Sequence, residues 1–219
     1  MWLLDYFKAR SGSKRRYSKP VTIAEMKAQG VIDTTAAKYF VVPDLDETAM
    51  LWLPHKDYVS APTLREAGYI NITDATNFSF SELVKSGDIY APNVEFCFLP
   101  KLSESLRIHV PAANYFSAQS LVRCWSIDAS TARYFSIPEL EVCGGISANC
   151  AHSIVATNLK NAGDIYAFHA EKIIMPKVKT VIYCSGAAIV DAPHAEIKRG
   201  NWEFINYSLC NSAQQKVYA

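Results

Sequence analysis

The sequence predicts a mainly β fold: a single-domain solenoid of about nine stacked coils. Three observations predict it. From about residue 25 to residue 195 the chain repeats itself every 19 residues, which is typical of units that bury their apolar faces only against their neighbours. Half of the residues are apolar, enough for one continuous core. Apolar residues also alternate at period two within each coil, as they do in strands.

Each coil contains two inward-facing segments. If the positions of a coil are numbered 1 to 19 from Glu25, positions 8 and 10 are apolar in most repeats. They therefore share a buried face, and positions 7 and 9 face water. Position 2 is apolar in all repeats, and positions 16 and 18, such as Phe135 and Ile137, indicate a second strand. A coil of this length leaves no room for a full amphipathic helix, so we expect at most short 3₁₀ turns.

Turn-forming residues recur at fixed positions of the coil. Alanine dominates position 13, which predicts a crowded interior corner. Glycine recurs at position 6 and proline at position 19, and we expect corners of the coil at both. The residues are Gly30, Gly68, Gly87, Gly144 and Gly163, and Pro43, Pro62, Pro100, Pro138 and Pro176.

The repeat divides the chain into three parts. Residues 1–24 are interpreted as an N-terminal cap and basic linker, 25–195 as the solenoid, and 196–219 as a C-terminal cap. Caps are expected because an open solenoid end exposes apolar interior and an unpaired strand edge. Trp2 and Phe7 would supply apolar surface to the first cap, and Trp202 and Phe204 to the second.

The consensus of the coils is L-x-x-x-G-x-I-x-A-x-x-A-x-x-F-x-x-P, which is clearest in ELVKSGDIYAPNVEFCFLP and NLKNAGDIYAFHAEKIIMP. This repeat resembles the short leucine-rich-like repeats of phage and bacterial proteins of unassigned role. The resemblance covers most of the chain. It implies a repeat architecture, but it implies no reaction and transfers no catalytic residue.

Composition narrows the function classes. A net charge of +1 argues against a nucleic-acid mimic and against a broadly basic nucleic-acid binder. Six cysteines without a C-x-x-C pair favour reduced thiols and a cytoplasmic location. The N-terminal apolar patch is too short for a signal peptide, and no run approaches the ~20 apolar residues of a membrane span, so we expect no membrane contact.

Position 15 gives the strongest candidate for a partner-binding surface. Its aromatic residues would form a stripe along one side of the solenoid, and such stripes serve as protein-binding hot spots or as stacking platforms. The alternative is a structural ladder that only covers a corner. The stripe consists of Tyr39, Tyr58, Phe96, Tyr115 and Tyr134. Position 9, with Trp52, Tyr90, His109 and Tyr166, is a second candidate of the same kind.

Two adjacent coils carry a pattern typical of metal ligands. Cys150 and His169 share position 12, and His152 and Glu171 share position 14. Stacking would bring the four side chains together, and Zn²⁺ accepts sulfur, nitrogen and carboxylate ligands. The hypothesis is therefore a zinc site, against the alternative that polar residues coincide on a tolerant turn.

A basic run precedes the repeats and contains Lys14, Arg15, Arg16 and Lys19. It could contact phosphates or an acidic protein surface. The alternative is a solvated linker between the cap and the first coil. Any contact with nucleic acid would depend on this run alone.

These observations favour a non-enzymatic protein that presents a rigid solenoid face to a macromolecular partner. Among macromolecules, they favour a protein as that partner. Inhibition of a host defence system by a phage-encoded protein is one specific version of this hypothesis. The histidines have no serine or acid partner at a persuasive spacing, so we expect no catalytic residue, and no cofactor besides the zinc considered above. The alternatives are a structural component that forms homo-oligomers through its ends or faces, and a carbohydrate binder or solenoid enzyme.

Overall fold

The structure is a computed structural model that describes residues 39–42, 44–53, 56–186 and 189–199. Within these residues, the regular structure consists of 18 strands in two parallel sheets of nine, without a helix. The N-terminal cap, the basic run from Lys14 to Lys19, most of the first coil and the segment from residue 200 onward lie outside the described residues, so the predictions about them stay predictions.

Each coil contributes one short and one long strand. The short-strand sheet contains β1 (Tyr39–Val41), β3 (Tyr58–Ser60), β5 (Asn77–Ser79), β7 (Phe96–Phe98), β9 (Tyr115–Ser117), β11 (Tyr134–Ser136), β13 (Ser153–Val155), β15 (Lys172–Ile174) and β17 (Ile189–Asp191). The long-strand sheet contains β2 (Glu47–Trp52), β4 (Glu66–Asn71), β6 (Lys85–Tyr90), β8 (Glu104–His109), β10 (Arg123–Asp128), β12 (Val142–Ser147), β14 (Asn161–Tyr166), β16 (Thr180–Ser185) and β18 (Glu196–Arg199). Neighbours in each sheet come from successive coils, which confirms the β-solenoid.

The 19-residue register is confirmed by strand pairing. Ile127 pairs with Ile108 on one side and with Ile146 on the other, so position 8 stacks on itself. Positions 2, 8 and 10 are buried through successive coils, as at Leu121, Ile127 and Ala129, and so are most residues at positions 16 and 18. Position 5 is buried as well. The core is therefore one continuous apolar column shared by both sheets.

Two β-turns close each coil. In the first, the N–H of position 13 donates to the carbonyl of position 10, as from Ala132 to Ala129 at 2.9 Å. In the second, the N–H of position 2 donates to the carbonyl of position 18, as from Leu140 to Ile137 at 3.1 Å. Pro138 is then the second residue of its turn, where the fixed φ of proline is favourable. The predicted roles of the alanine and proline positions are confirmed.

The predicted turn at position 6 is wrong for the described glycines, because Gly68, Gly87, Gly144 and Gly163 lie inside the long strands. Gly30 lies outside the described residues. Gly87 is in β6 and Gly163 is in β14. A Cβ on Gly163 would lie 1.8 Å from the carbonyl oxygen of Gly144 in the preceding coil. Glycine is therefore selected there for close backbone approach. Position 6 also holds Leu106, whose side chain is half exposed, so glycine is not required at this position in every coil.

The last coil is shorter than predicted. Ile189 pairs with Lys172, a separation of 17 residues, so Ile189 and not Asp191 occupies the strand position equivalent to position 15. The long-strand ladder also continues beyond residue 195, because Thr180 of β16 pairs with Glu196 of β18. The pairing thus extends four residues into the segment interpreted as the C-terminal cap. No helix in the described ranges is long and apolar enough to cross a membrane.

Candidate docking face

The aromatic stripe at position 15 forms in register on the outer side of the short-strand sheet. Tyr58, Asn77, Phe96, Tyr115 and Tyr134 are successive Cα partners. Phe96 is 56% exposed and Tyr134 is 49% exposed. The backbone of Tyr39 continues the ladder by pairing with Tyr58, and its side chain lies outside the described residues.

Position 17 lies beside the stripe and completes this surface. It supplies Phe98, which is 48% exposed, and several serines. From Tyr58 to Val155 the two columns together contain no charged side chain, and we call them the aromatic face. Its residues are Tyr58, Ser60, Asn77, Ser79, Phe96, Phe98, Tyr115, Ser117, Tyr134, Ser136, Ser153 and Val155. Ser60 and Ser117 are buried, so the exposed part of this face is supplied by the other residues.

The best-defined part of the aromatic face is a pair of stacked tyrosines. The rings of Tyr115 and Tyr134 are 4.5 Å apart between centroids and 5° from parallel. Rings stacked this closely cover one another's faces, so they present edges and hydroxyl groups to solvent. That arrangement suits the mixed apolar and hydrogen-bonding contacts of a protein interface better than flat stacking of a partner on each ring.

The second aromatic candidate, position 9, is not a continuous stripe. Trp52 is exposed, but the next residue in its column is Asn71, which is buried. In the coil after Asn71, Tyr90 stacks on His109 with ring centroids 4.9 Å apart. Tyr166 lies three coils beyond His109 and contacts Tyr183 instead. The predicted residues of position 9 thus form separate clusters.

The structure pairs His109 with an acid that sequence reasoning missed. Its Nδ1 lies 3.1 Å from Oδ2 of Asp128. Both residues occupy position 9 of adjacent coils and are Cα partners, so the signal was their separation by one period of the repeat. A histidine oriented by a carboxylate is a common element of catalytic sites. Ser130 hydrogen-bonds to Asp128 and not to His109, so the three residues do not form a nucleophilic triad.

Ion pairs cover the outer side of the long-strand sheet and the neighbouring turn. Lys101 and Glu82 are 2.7 Å apart, and so are Lys160 and Glu141. Arg107 binds Asp88 through two hydrogen bonds of 3.0 and 2.5 Å, and this carboxylate raises the pKa of the guanidinium. The hydrogen bond from Lys160 lowers the pKa of Glu141. Each pair is one repeat apart, so opposite charges meet across adjacent coils.

The four predicted zinc ligands are all on the surface. Cys150 and His169 are exposed, and the side chains of His152 and Glu171 are 72% and 81% exposed. His152 Nδ1 lies 3.8 Å from Glu171 Oε1. Among the described residues, no three His, Cys, Asp or Glu side chains are grouped so that they could hold a metal ion. The zinc hypothesis therefore gains no support from this geometry.

Four thiols line the core and are inaccessible. Cys97, Cys124, Cys143 and Cys184 are buried and unpaired, whereas Cys150 is exposed. Burial raises the pKa of Cys143 to about 12 and that of Cys184 to about 12. These thiols stay neutral and therefore poorly nucleophilic near neutral pH.

Comparison of the chain with protein-family models, with curated proteins and with solved structures gives no significant match. The leucine-rich-like resemblance therefore depends on the repeat pattern alone. The β-solenoid itself follows from the strand pairing described above.

Proposed function

We propose that this protein is a non-enzymatic binding protein that docks a protein partner on its aromatic face. The observation that carries the proposal is the exposure of Phe96, Phe98 and Tyr134 on a sheet surface without charged side chains. Exposed aromatic clusters of this kind are typical of interaction sites, because soluble monomers rarely expose contiguous apolar patches.

The composition of the aromatic face matches the centre of a protein interface. Interface cores are enriched in tyrosine and phenylalanine and are depleted in lysine, glutamate and aspartate. Burying a charge without a partner is costly, so a face without charges avoids that cost on docking. Tyrosine adds hydroxyl groups that can hydrogen-bond to a partner at the edge of an apolar contact.

The solenoid also provides rigidity. The strands of the aromatic face are paired on both sides through most of the array, and their inward residues, such as Phe116 and Phe135, are buried and stacked 5.0 Å apart. A surface fixed in this way loses little conformational entropy when a partner binds. Binding energy from the exposed rings would therefore not be spent on ordering the backbone.

A structural role remains the second candidate because of the same neutrality. Two copies could pack through their aromatic faces without like-charge repulsion. The assembly state separates the candidates: a docking protein remains monomeric without its partner, whereas a structural component assembles with itself.

The experiment is to remove the stacked tyrosines. Replacing Tyr115 and Tyr134 with alanine should weaken binding of the partner by about 2 kcal/mol or more. Because both rings are on the surface, the loss of stability should be smaller than for a core truncation. Immobilised wild type and variant are compared for capture of proteins from the source cells by mass spectrometry. Calorimetry with the purified partner then gives the affinity.

A matched control is Tyr183→Ala, which removes a ring from the long-strand sheet. Equal capture by the wild type and the tyrosine double variant, together with a large loss of stability in that variant, would show that the stripe is a structural ladder. A defence protein as the captured partner would support the narrower hypothesis of a phage-encoded inhibitor. Self-association in light scattering that the double substitution abolishes would favour the structural role.

A further inference from the structure

A polar cluster lies outside the aromatic face, where the long strands end and the first turn of the coil begins. It comprises His109, Asp128, Ser130, Ser147 and Asn149. His109, Asp128 and Ser147 are successive Cα partners on β8, β10 and β12. Ser130 and Asn149 each follow two residues later in the turns of their coils. Two adjacent columns thus place five polar side chains together.

Hydrogen bonds join the members of this cluster. His109 Nδ1 lies 3.1 Å from Asp128 Oδ2, and Ser130 Oγ donates to the other carboxylate oxygen of Asp128. Ser130 Oγ is also 2.9 Å from Ser147 Oγ, and Asn149 Nδ2 donates to Ser147 Oγ at 3.5 Å. The cluster is therefore a connected network whose groups hold one another in place.

One atom of the network has no partner. Asn149 Oδ1 is buried and accepts no hydrogen bond. Turning the amide over would exchange its oxygen and nitrogen but would still leave one polar atom unmatched. A buried polar group without a partner is costly and calls for an explanation. Oδ1 is closed to solvent, so the amide must turn outward before a ligand hydroxyl, which can both donate and accept, can pair with it.

Aromatic side chains stand at both ends of the cluster. At one end Tyr90 stacks on His109, with ring centroids 4.9 Å apart. At the other end Tyr166 is the Cα partner of Ser147. The ring of the exposed Phe168 lies 6.4 Å from the ring of Tyr166, measured between centroids. The polar groups between His109 and Tyr166 span three strand spacings, or about 14 Å. The surface is thus a polar strip bounded by aromatic rings.

We propose that this strip binds a neutral carbohydrate, with the polar groups contacting sugar hydroxyls and the rings packing against the apolar faces of the sugar. Carboxylate, hydroxyl and amide groups together provide donors and acceptors for a ligand rich in hydroxyl groups. The only carboxylate, Asp128, is paired with His109, and the strip holds no lysine or arginine. This charge pattern favours a neutral ligand over a phosphate or sulfate.

The site is independent of the aromatic face, since it belongs to other strand positions and shares no residue with it. The test uses a panel of neutral hexasaccharides built from glucose, mannose, galactose or N-acetylglucosamine, with a heparin fragment as the anionic probe. Each is titrated into the full-length protein by calorimetry. We expect at least one neutral hexasaccharide to bind with a Kd of about 1 mM or tighter.

Two variants locate the binding. Asn149→Ala and Tyr166→Ala should each weaken it about tenfold or more, because one removes the hydrogen-bonding amide and the other a packing surface. Two matched controls should leave it within about twofold. Asn158→Ala removes an exposed amide that donates to Glu139, and Tyr134→Ala removes a ring of the aromatic face. Melting temperatures verify folding, and Ser130→Ala substitutes for Asn149→Ala if that variant unfolds.

The outcomes separate this site from the docking face. Loss of protein capture in Tyr134→Ala with unchanged carbohydrate binding would support both proposals. Absence of binding by every neutral hexasaccharide at about 1 mM, binding of the heparin fragment alone, or equal weakening by Asn158→Ala would overturn the carbohydrate site. None of those results would affect the proposal for the aromatic face.

Discussion

The two sheets of the solenoid share one core but differ on their outer faces. The outer face of the short-strand sheet is neutral and aromatic from Tyr58 to Val155. On the long-strand sheet, adjacent coils place opposite charges against each other, as at Asp88 with Arg107 and at Glu104 with Arg123. The same register therefore produces two chemically distinct surfaces.

In-register stacking explains the charged surface. A parallel ladder places each residue directly beside its equivalent in the next coil, where like charges destabilise a sheet and opposite charges stabilise it. Charged columns thus tend to alternate in sign, although Glu47 pairs with Glu66 at the start of the array. Aromatic columns have no such constraint. The ion pairs are consequently explained by folding. Ring stacking also stabilises a ladder, as between Tyr115 and Tyr134, so it is the exposure of Phe96 and Phe98 on columns without charges that favours the proposed binding role.

The largest effect is expected from the core that both faces share. Ile127 is 1% exposed, with Ile108 and Ile146 on either side. Ile127→Asp should lower the free energy of unfolding by several kcal/mol, because a charge is buried without a partner. That is a large share of the roughly 5 to 15 kcal/mol by which a domain is stable. Chemical denaturation measures the loss. The control is Ser126→Asp at the adjacent outward position, and a variant of Ile127 as stable as this control would disprove the shared core.

A smaller effect is expected where the long strands approach most closely. Gly163→Ala should destabilise the protein by about 1 to 3 kcal/mol, because the new methyl group would contact the carbonyl of Gly144. Gly145→Ala is the control, since a Cβ there would meet only the carbonyl oxygen of Asp164, at 3.8 Å, and its effect should be within about 0.5 kcal/mol. Thermal unfolding compares the two. Similar losses in both variants would show that close approach does not select glycine at position 6.

The smallest effect is expected from a single ion pair on the long-strand sheet. The side chain of Arg107 is 65% exposed, so its coupling to Asp88 in a double-mutant cycle should be about 0.2 to 1 kcal/mol. The coupling should fall as salt is added, because salt screens exposed charges. A coupling that is unchanged in high salt would mean that this pair does more than neutralise neighbouring charges.

The period of the sequence was sufficient to predict the inward columns and the aromatic stripe, because a stack with a constant register projects each position onto one line. It was insufficient where the backbone departs from that register. Gly163 sits at a close approach inside a strand, and Ile189 takes the place expected for Asp191 after the last coil loses residues. The pairing of His109 with Asp128 was predictable in principle, since their separation is one repeat, but local spacing does not reveal it.

The most direct test of the central proposal, that the partner binds the aromatic face and not the outer side of the long-strand sheet, is to place the same charge on each. Ser136 of β11 and Ser126 of β10 are both partly buried serines on the outer sides of their sheets. Binding of the purified partner is measured by calorimetry for Ser136→Asp and Ser126→Asp. We predict that Ser136→Asp weakens binding by about tenfold or more, because the charge is desolvated in the interface, and that Ser126→Asp changes it by less than about twofold. Equal affinities of the two variants, or a greater loss in Ser126→Asp, would contradict the claim.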